Sequence, residues 1–302
     1  MMSEYDAEAC EKFKLSGRIL REAREEIKGF VREGMLIIDI CEKAEDLIKK
    51  KGAKPAFPCN VSINEVAAHY TSPPNDKRRV PENSVIKVDI GAHVDGYVTD
   101  TAVTVCFSHE HEDLVGTAER ALKAAVESIR PGMSASKLGA LIENTIKARG
   151  FKPISNLCGH QVGRYIVHTG TSIPNVSQLS LTKIKLGGVY AIEPFVTSPD
   201  AVGRVEDGDE STIFRFVKSR SLENPHAKQL LRFIEDNFRT LPFAERWLQG
   251  VLPKERHREA FHELLTSKAL MYYPVFIEAS RKTVAQAEHT VMIVEDGCLV
   301  LT

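Results

Sequence analysis

Little in this 302-residue chain is extreme, and each absence removes a class of function. No stretch approaches the roughly 18 consecutive apolar residues of a membrane span. The acidic opening MMSEYDAEACEKFK has no apolar core of signal-peptide kind. A cytoplasmic setting with no membrane partner is therefore expected. Forty Lys and Arg face 41 Asp and Glu, a net charge of −1, so no basic field points to nucleic acid or anionic lipid. The six cysteines are scattered without a CxxC pair, which argues against a disulfide framework and for reduced, structurally buried thiols. What remains is an ordinary globular composition, 43% hydrophobic and 27% charged, long enough for one large domain or a domain with an insert.

Against that plain background, VIKVDIGAHVDGYVTD (85–100) stands out. Val85, Ile86, Val88 and Ile90 make a β-branched run, and Asp95-Gly96 is a two-residue hairpin signal. Two acids interrupt it, Asp89 in the first strand and Asp100 in the second. With the turn at 95–96, residues whose numbers sum to 191 are paired, so Asp100 faces Gly91. Asp89, two residues from Gly91, then shares its face. The two carboxylates become diagonal neighbours roughly 7–8 Å apart at Cα. Burying a lone carboxylate is costly. Either both lie at a solvated sheet end, or each pairs with an Arg, or they converge on a common site.

An internal repeat favours the site. EGMLIIDICEKAEDLIKKKGAKP (33–55) and PGMSASKLGALIENTIKARGFKP (131–153) superimpose with a shift of 98. Each carries Gly-Met, an amphipathic helical pattern, Gly, one residue and Lys-Pro. Asp39 and Glu42 have capping-box spacing, and Gly52 and Gly150 are expected at C′. The match extends into strands: ENSVIKVDIG (82–91) aligns with LGGVYAIEPF (186–195), and TDTAVTV (99–105) with AEHTVMI (287–293). Glu193 then stands where Asp89 does, and Glu288 where Asp100 does. A duplicated unit folded about a pseudo-two-fold axis brings the four carboxylates together. Unneutralised, they would repel by several kcal/mol per pair at an effective dielectric near ~20. Divalent cations would relieve this, so the acids read as a metal site. In NLCGHQVGRYIVHTG (156–170), His160 has a loop-like context between glycines and His168 follows a β-like run. A lone histidine is more often structural than a ligand; if the neighbouring acids do draw in one imidazole, the set would suit Mn, Fe(II), Co or Zn.

The stretches KVDIGAHVDGYVTD, GHQVGRYIVHTGTSIPN, VYAIEPF and AQAEHTVMI resemble the type II methionine aminopeptidases in their short, archaeal-type form, from about residue 5 onward. The resemblance implies a mixed α/β (α+β) pita-bread fold, two divalent metal ions, and removal of N-terminal methionine from nascent polypeptides by a monomeric enzyme. By position, it makes Asp89 a ligand of one metal and Asp100 a bridge. His160 and Glu193 would bind the second metal, and Glu288 would bridge. His69 (in SINEVAAHYTSP) and His168 would contact substrate, and Phe57 (in AFP) would wall the methionine pocket. Glu193 would also accept the proton of the attacking water, with His168 donating to the developing oxyanion. Two positions depart from the family pattern: Ala287 stands where many members have Phe, and DGDESTIFRF lacks a pocket histidine near 211.

Eleven residues separate Asp89 from Asp100 but 95 separate Glu193 from Glu288, so the second half carries about 84 more. Ala227, Leu230, Leu231, Ile234 and Phe238 follow helical spacing there. LPFAERWLQ and REAFHELL read as shorter helices and LMYYPVFI as a strand. This resembles the winged-helix-like insert of type II enzymes, placed at about 205–275 of a single catalytic domain spanning 1–302. With eight Lys or Arg against seven Asp or Glu in residues 223–270, it lacks a nucleic-acid footprint. The alternatives are another pita-bread peptidase, such as a prolidase or aminopeptidase P, and a non-catalytic binding homologue.

Overall fold

The helix pattern of the first half returns in the second at the spacing seen in the sequence. The structure, a computed structural model, describes residues 5–302. Helix α1 (Ala7–Phe30) and α2 (Ile37–Lys50) recur as α3 (Glu112–Ser128) and α4 (Ala135–Lys147). The end of α1 and the start of α2 are each displaced by 98 in their counterparts. The loops between the helices repeat too. Gly34 donates its N–H to the Val80 carbonyl and Gly132 donates to that of Ile184, both at 2.8 Å. Val80 and Ile184 are 104 apart, so six residues enter the second copy before that point. The same longer shift carries Asp89 onto Glu193.

No capping box forms at Asp39 and Glu42. Leu36 is the N-cap of α2 and makes no side-chain capping bond. Asp39 stands instead in the first turn, where a carboxylate complements the helix dipole. Gly52 follows the cap directly, whereas α4 ends at Lys147 and Gly150 lies one residue beyond C′. Both glycines have positive φ, 94° and 81°.

Each helix pair covers the sheet of its own half. The strands Lys54–Ile63, Val85–Val94 and Tyr97–Cys106 form one antiparallel sheet. Leu20, Ile27, Ile40 and Ile48 of α1 and α2 pack with Val61, Ile86 and Val88 of that sheet. In the second half, Leu114, Leu122, Leu138 and Ile142 pack against Tyr190, Ile192 and Val291 from the strands Val189–Ile192 and His289–Val294. Each fully buried aliphatic side chain contributes about 1.5–3 kcal/mol. Ala287 belongs to this second core.

A third core lies between the long strands Val205–Phe216 and Leu270–Glu278 and the helices α5 (Pro225–Phe238) and α6 (Lys254–Thr266). The apolar stripe read at Ala227, Leu230, Leu231 and Ile234 is the buried face of α5. LPFAERWLQ forms a short strand, Phe243–Ala244, and a 3-10 turn, Glu245–Leu248, instead of a helix. Among the described residues no helix is long and apolar enough to cross a membrane.

Candidate metal centre

The hairpin pairs as its turn dictates: Val94 with Tyr97, Gly91 with Asp100, Asp89 with Ala102. Asp89 and Asp100 are thus diagonal neighbours on one face. The second half differs in register. His289 pairs with Ile192 and Gln286 with Phe195, an alignment that sets Glu193 directly opposite Glu288. Pro194 interrupts the ladder there. The repeat therefore reproduces the acids but not their offset.

A seam of threonines joins the halves. The Thr290 hydroxyl accepts from the Asp100 N–H at 2.8 Å and donates to the Asp100 carbonyl at 2.7 Å. Thr101 donates to the Glu288 carbonyl at 2.7 Å, and the Glu288 N–H donates to Ala102 at 3.2 Å. A hydroxyl offers both a donor and acceptors, so these side chains, together with the Glu288–Ala102 backbone bond, join Tyr97–Cys106 to the segment that begins at Glu288. They hold Asp100 and Glu288 side by side.

His160 is brought in by a strand, Cys158–Gln161, and not by a loop. The flanking Gly159 serves close packing: a Cβ there would lie 2.4 Å from the Ala191 carbonyl oxygen. His160 pairs with Ala191, which makes Glu193 its diagonal neighbour on the same face. Its Nε2 lies 3.3 Å from Glu193 Oε1 and 3.7 Å from Asp100 Oδ2. Ligand-type atoms of Asp100, His160 and Glu288 lie within 4.8 Å of one another.

The electrostatics are those of a site short of positive charge. Burial pushes the Asp89 carboxyl up to about 7. Burial first, then neighbouring carboxylates, hold Asp100, Glu193 and Glu288 well above the usual carboxylate range. Burial also lowers His160 well below the usual imidazole value, leaving its nitrogen free to donate a lone pair. Asp89 Oδ1, Asp100 Oδ1 and Glu288 Oε1 are buried without hydrogen-bond partners. Orphaned anionic oxygens beside a neutral imidazole are what a divalent cation satisfies. The donor set fits the metal that its chemistry calls for.

Above the acids opens a cavity of about 260 Å³. Phe57, buried, and His168, open to solvent, both line it. The His168 ring lies 4.1 Å from that of His160, centroid to centroid. Although the residue reaches solvent, the packing of its ring on His160 desolvates it locally, and that and then the Arg215 charge lower its pKa. The run before it, read as β-like, forms isolated bridges, a turn and a bend because the chain doubles back between Gly163 and Ile166. His69 lies in the left-handed region at φ 66°, with its ring 4.5 Å from Phe276 and 5.6 Å from Tyr273. Burial lowers it to about 4, and the Pro274 carbonyl bonds its ring while Nδ1 has no partner.

All eight candidate residues therefore meet at one cavity. The sequence reading missed Asn60, Cys158, Ile213, Tyr273 and Phe276 in its lining. Ile213 stands close to where the family pattern has a histidine. Asn60 was detectable as an amide in mid-strand, where such residues are depleted. Cys158 was detectable as the residue two before His160 on one strand face; with Cys10, Cys106 and Cys298 it is only partly buried, so full burial, expected of every cysteine, holds for Cys41 and Cys59.

Comparison with known proteins gives the same direction. A relative from Methanothermobacter thermautotrophicus called methionine aminopeptidase is 42% identical over 295 residues, covering 97% of this chain and 98% of that one. One of the same name from Methanocaldococcus jannaschii is 42% identical over 297 residues, covering 98% and 99%. The crystal structure of methionine aminopeptidase from Thermotoga maritima superimposes with a TM-score of 0.72 over 100% of this chain and 99% of that one. At 22% identity it establishes the shared pita-bread fold. Residues 11–236 match the model of metallopeptidase family M24, and the chain belongs to that family of metal-dependent peptidases.

Proposed function

We propose that this chain is an aminopeptidase that removes the N-terminal methionine of newly made polypeptides when the second residue is small. The observation that carries the reading is the convergence of Asp89, Asp100, His160, Glu193 and Glu288 beneath an apolar-walled cavity, with three of their oxygens unpartnered. Near-full-length similarity to proteins called methionine aminopeptidase supports it.

In this reading the five side chains hold two divalent cations of the Mn, Fe(II), Co or Zn type. Bound there, such cations would supply Lewis acidity toward the scissile carbonyl and toward a water molecule. The protein supplies the rest. Glu193 receives the proton of the attacking water at a carboxylate oxygen and returns it to the leaving amine. His168, neutral near pH 7, donates an N–H to the developing oxyanion. His69 bonds Pro274 through one ring nitrogen, so its free Nδ1 accepts the N–H of the amide beyond methionine. Phe57 closes the apolar side of the methionine pocket and excludes water. The segment 205–275 is an insert of the one catalytic domain that flanks the pocket through Ile213 and Tyr273.

Metal-supplemented cleavage of Met-Ala-Ser, Met-Pro, Met-Lys and Ala-Pro peptides tests the reading. Release of methionine from the first two, with Met-Lys and Ala-Pro left intact, is expected. Equal cleavage of Met-Lys and Met-Ala-Ser, or preferred cleavage of Ala-Pro, would refute it. Chelation should abolish the activity and added divalent metal restore it, saturating at two equivalents.

A further inference from the structure

One buried polar atom beside the carboxylates has no role in the scheme above. Asn60 is 3% exposed, lies in the strand Lys54–Ile63, and pairs across the sheet with Asp89. Paired residues project to the same face with Cβ atoms roughly 4.5–5.5 Å apart. Its Nδ2 donates to the Pro58 carbonyl at 3.0 Å. That bond fixes the amide, because turning it over would set oxygen against oxygen. Oδ1 therefore points away from Pro58, and it has no hydrogen-bond partner. Asn60 lines the cavity together with Phe57 and Asp89. A buried acceptor left unpaired is costly, so a donor arriving with the substrate is its natural complement.

We propose that Asn60 is a substrate-binding residue whose Oδ1 accepts a hydrogen bond from the free α-amino group of the N-terminal methionine. The assignment rests on the aminopeptidase reading and adds to it. Of the groups the first residue brings, the thioether and the scissile carbonyl only accept. The next N–H along the chain lies toward His69. The α-amino group is the remaining donor, and Asn60 stands opposite Asp89 on the strand that also carries Phe57. Recognition of the amine by a fixed neutral acceptor helps explain why a free N-terminus is demanded.

The test compares metal-loaded wild type, Asn60→Leu and Asn60→Ala by calorimetric binding of L-methionine and of 4-(methylthio)butanoate, the same molecule without its amine. Leucine keeps the side-chain volume; alanine serves if leucine fails to unfold at the wild-type temperature. Metal content is measured on each protein. Wild type should prefer L-methionine, and both variants should lower that preference about tenfold or more, with deaminated-ligand affinity and metal content unchanged. An undiminished preference, an equal loss for both ligands, or loss of metal would overturn the assignment. Failure of wild type to cleave Met-Ala-Ser would instead overturn the aminopeptidase reading on which it rests.

Discussion

The Phe57 ring occupies the space that a side chain at Gly91 would need: a Cβ there would come within 2.2 Å of Cε1. The two residues are partners across the sheet, and the other partner of Gly91 is Asp100. One backbone position thus sets both the aromatic wall and a candidate metal-binding carboxylate. Gly91→Ala should drive the ring toward the cavity. We expect kcat/KM for methionine peptides to fall about 10- to 100-fold, the order associated with a methylene-sized misfit in an apolar pocket. Thermal unfolding should shift little. Wild-type kcat/KM in a folded Gly91→Ala protein would show that the ring does not shape the pocket.

A second relationship ties the 205–278 segment to the first half. Glu45 of α2 and Arg246 form a buried ion pair. Glu45 also accepts from the Trp247 indole at 2.7 Å and from the Cys59 N–H at 3.0 Å. Arg246 donates to the Thr71 hydroxyl at 2.9 Å. Removing one partner leaves an uncompensated buried charge, which costs about 3–5 kcal/mol. Glu45→Ala should therefore lower stability by that order in denaturant unfolding. Glu45→Met combined with Arg246→Met should recover most of it. A double variant no more stable than Glu45→Ala would show that hydrogen bonds to Trp247 and Thr71 dominate the charge pair.

Much of this arrangement was legible in the residues because it rests on local periodicity and short-range register. The Asp95-Gly96 turn dictated every pair of the hairpin, and the shift of 98 dictated the second helix pair. Long-range relationships were not legible. The direct opposition of Glu193 and Glu288 depends on where Pro194 breaks a ladder between segments about 95 residues apart. The strand around His160 reads as loop because Gly159 and Gly163 lower strand propensity, and only the nearness of Ala191 explains the first glycine. Leu36 caps α2 without a side-chain bond, so no sequence signal marked that start.

The hairpin turn carries a pH dependence of its own. The Gly96 N–H donates to His93 Nδ1 at 3.0 Å, and the imidazole is buried. Burial first, then the charges of Lys54 and Arg239 against that of Asp95, lower His93 from the ordinary 6.5 to about 4. Between those values the unfolded chain binds a proton that the folded one refuses, so stability rises with pH across that window. It is complete above about 6.5 and lost as pH falls toward about 4. His93→Asn keeps an acceptor for Gly96 but cannot titrate. Its unfolding free energy should fall less steeply than that of wild type from pH 6.5 down to 4. Parallel curves would place the proton uptake elsewhere.

Glu193 decides between a ligand and a ligand that also moves a proton. It faces Glu288 across the interrupted ladder, its Oε1 lies 3.3 Å from His160 Nε2, and Pro194 restricts the backbone on its C-terminal side. A carboxylate beside the cavity and next to a neutral imidazole is placed to receive a proton from a water bound there. Glu193→Gln keeps the size and one oxygen donor but removes the basicity. If Glu193 only binds metal, the variant should need more metal, and excess metal should return turnover to near the wild-type value. If it also accepts the proton, turnover at saturating metal should remain about 10²- to 10⁴-fold low, with KM changed far less. We expect the second outcome. The comparison is made on protein shown by elemental analysis to hold as much metal as wild type, so that a shortfall in turnover reports proton transfer. Rescue by added metal alone would reduce Glu193 to a ligand and require another base within reach of the same water.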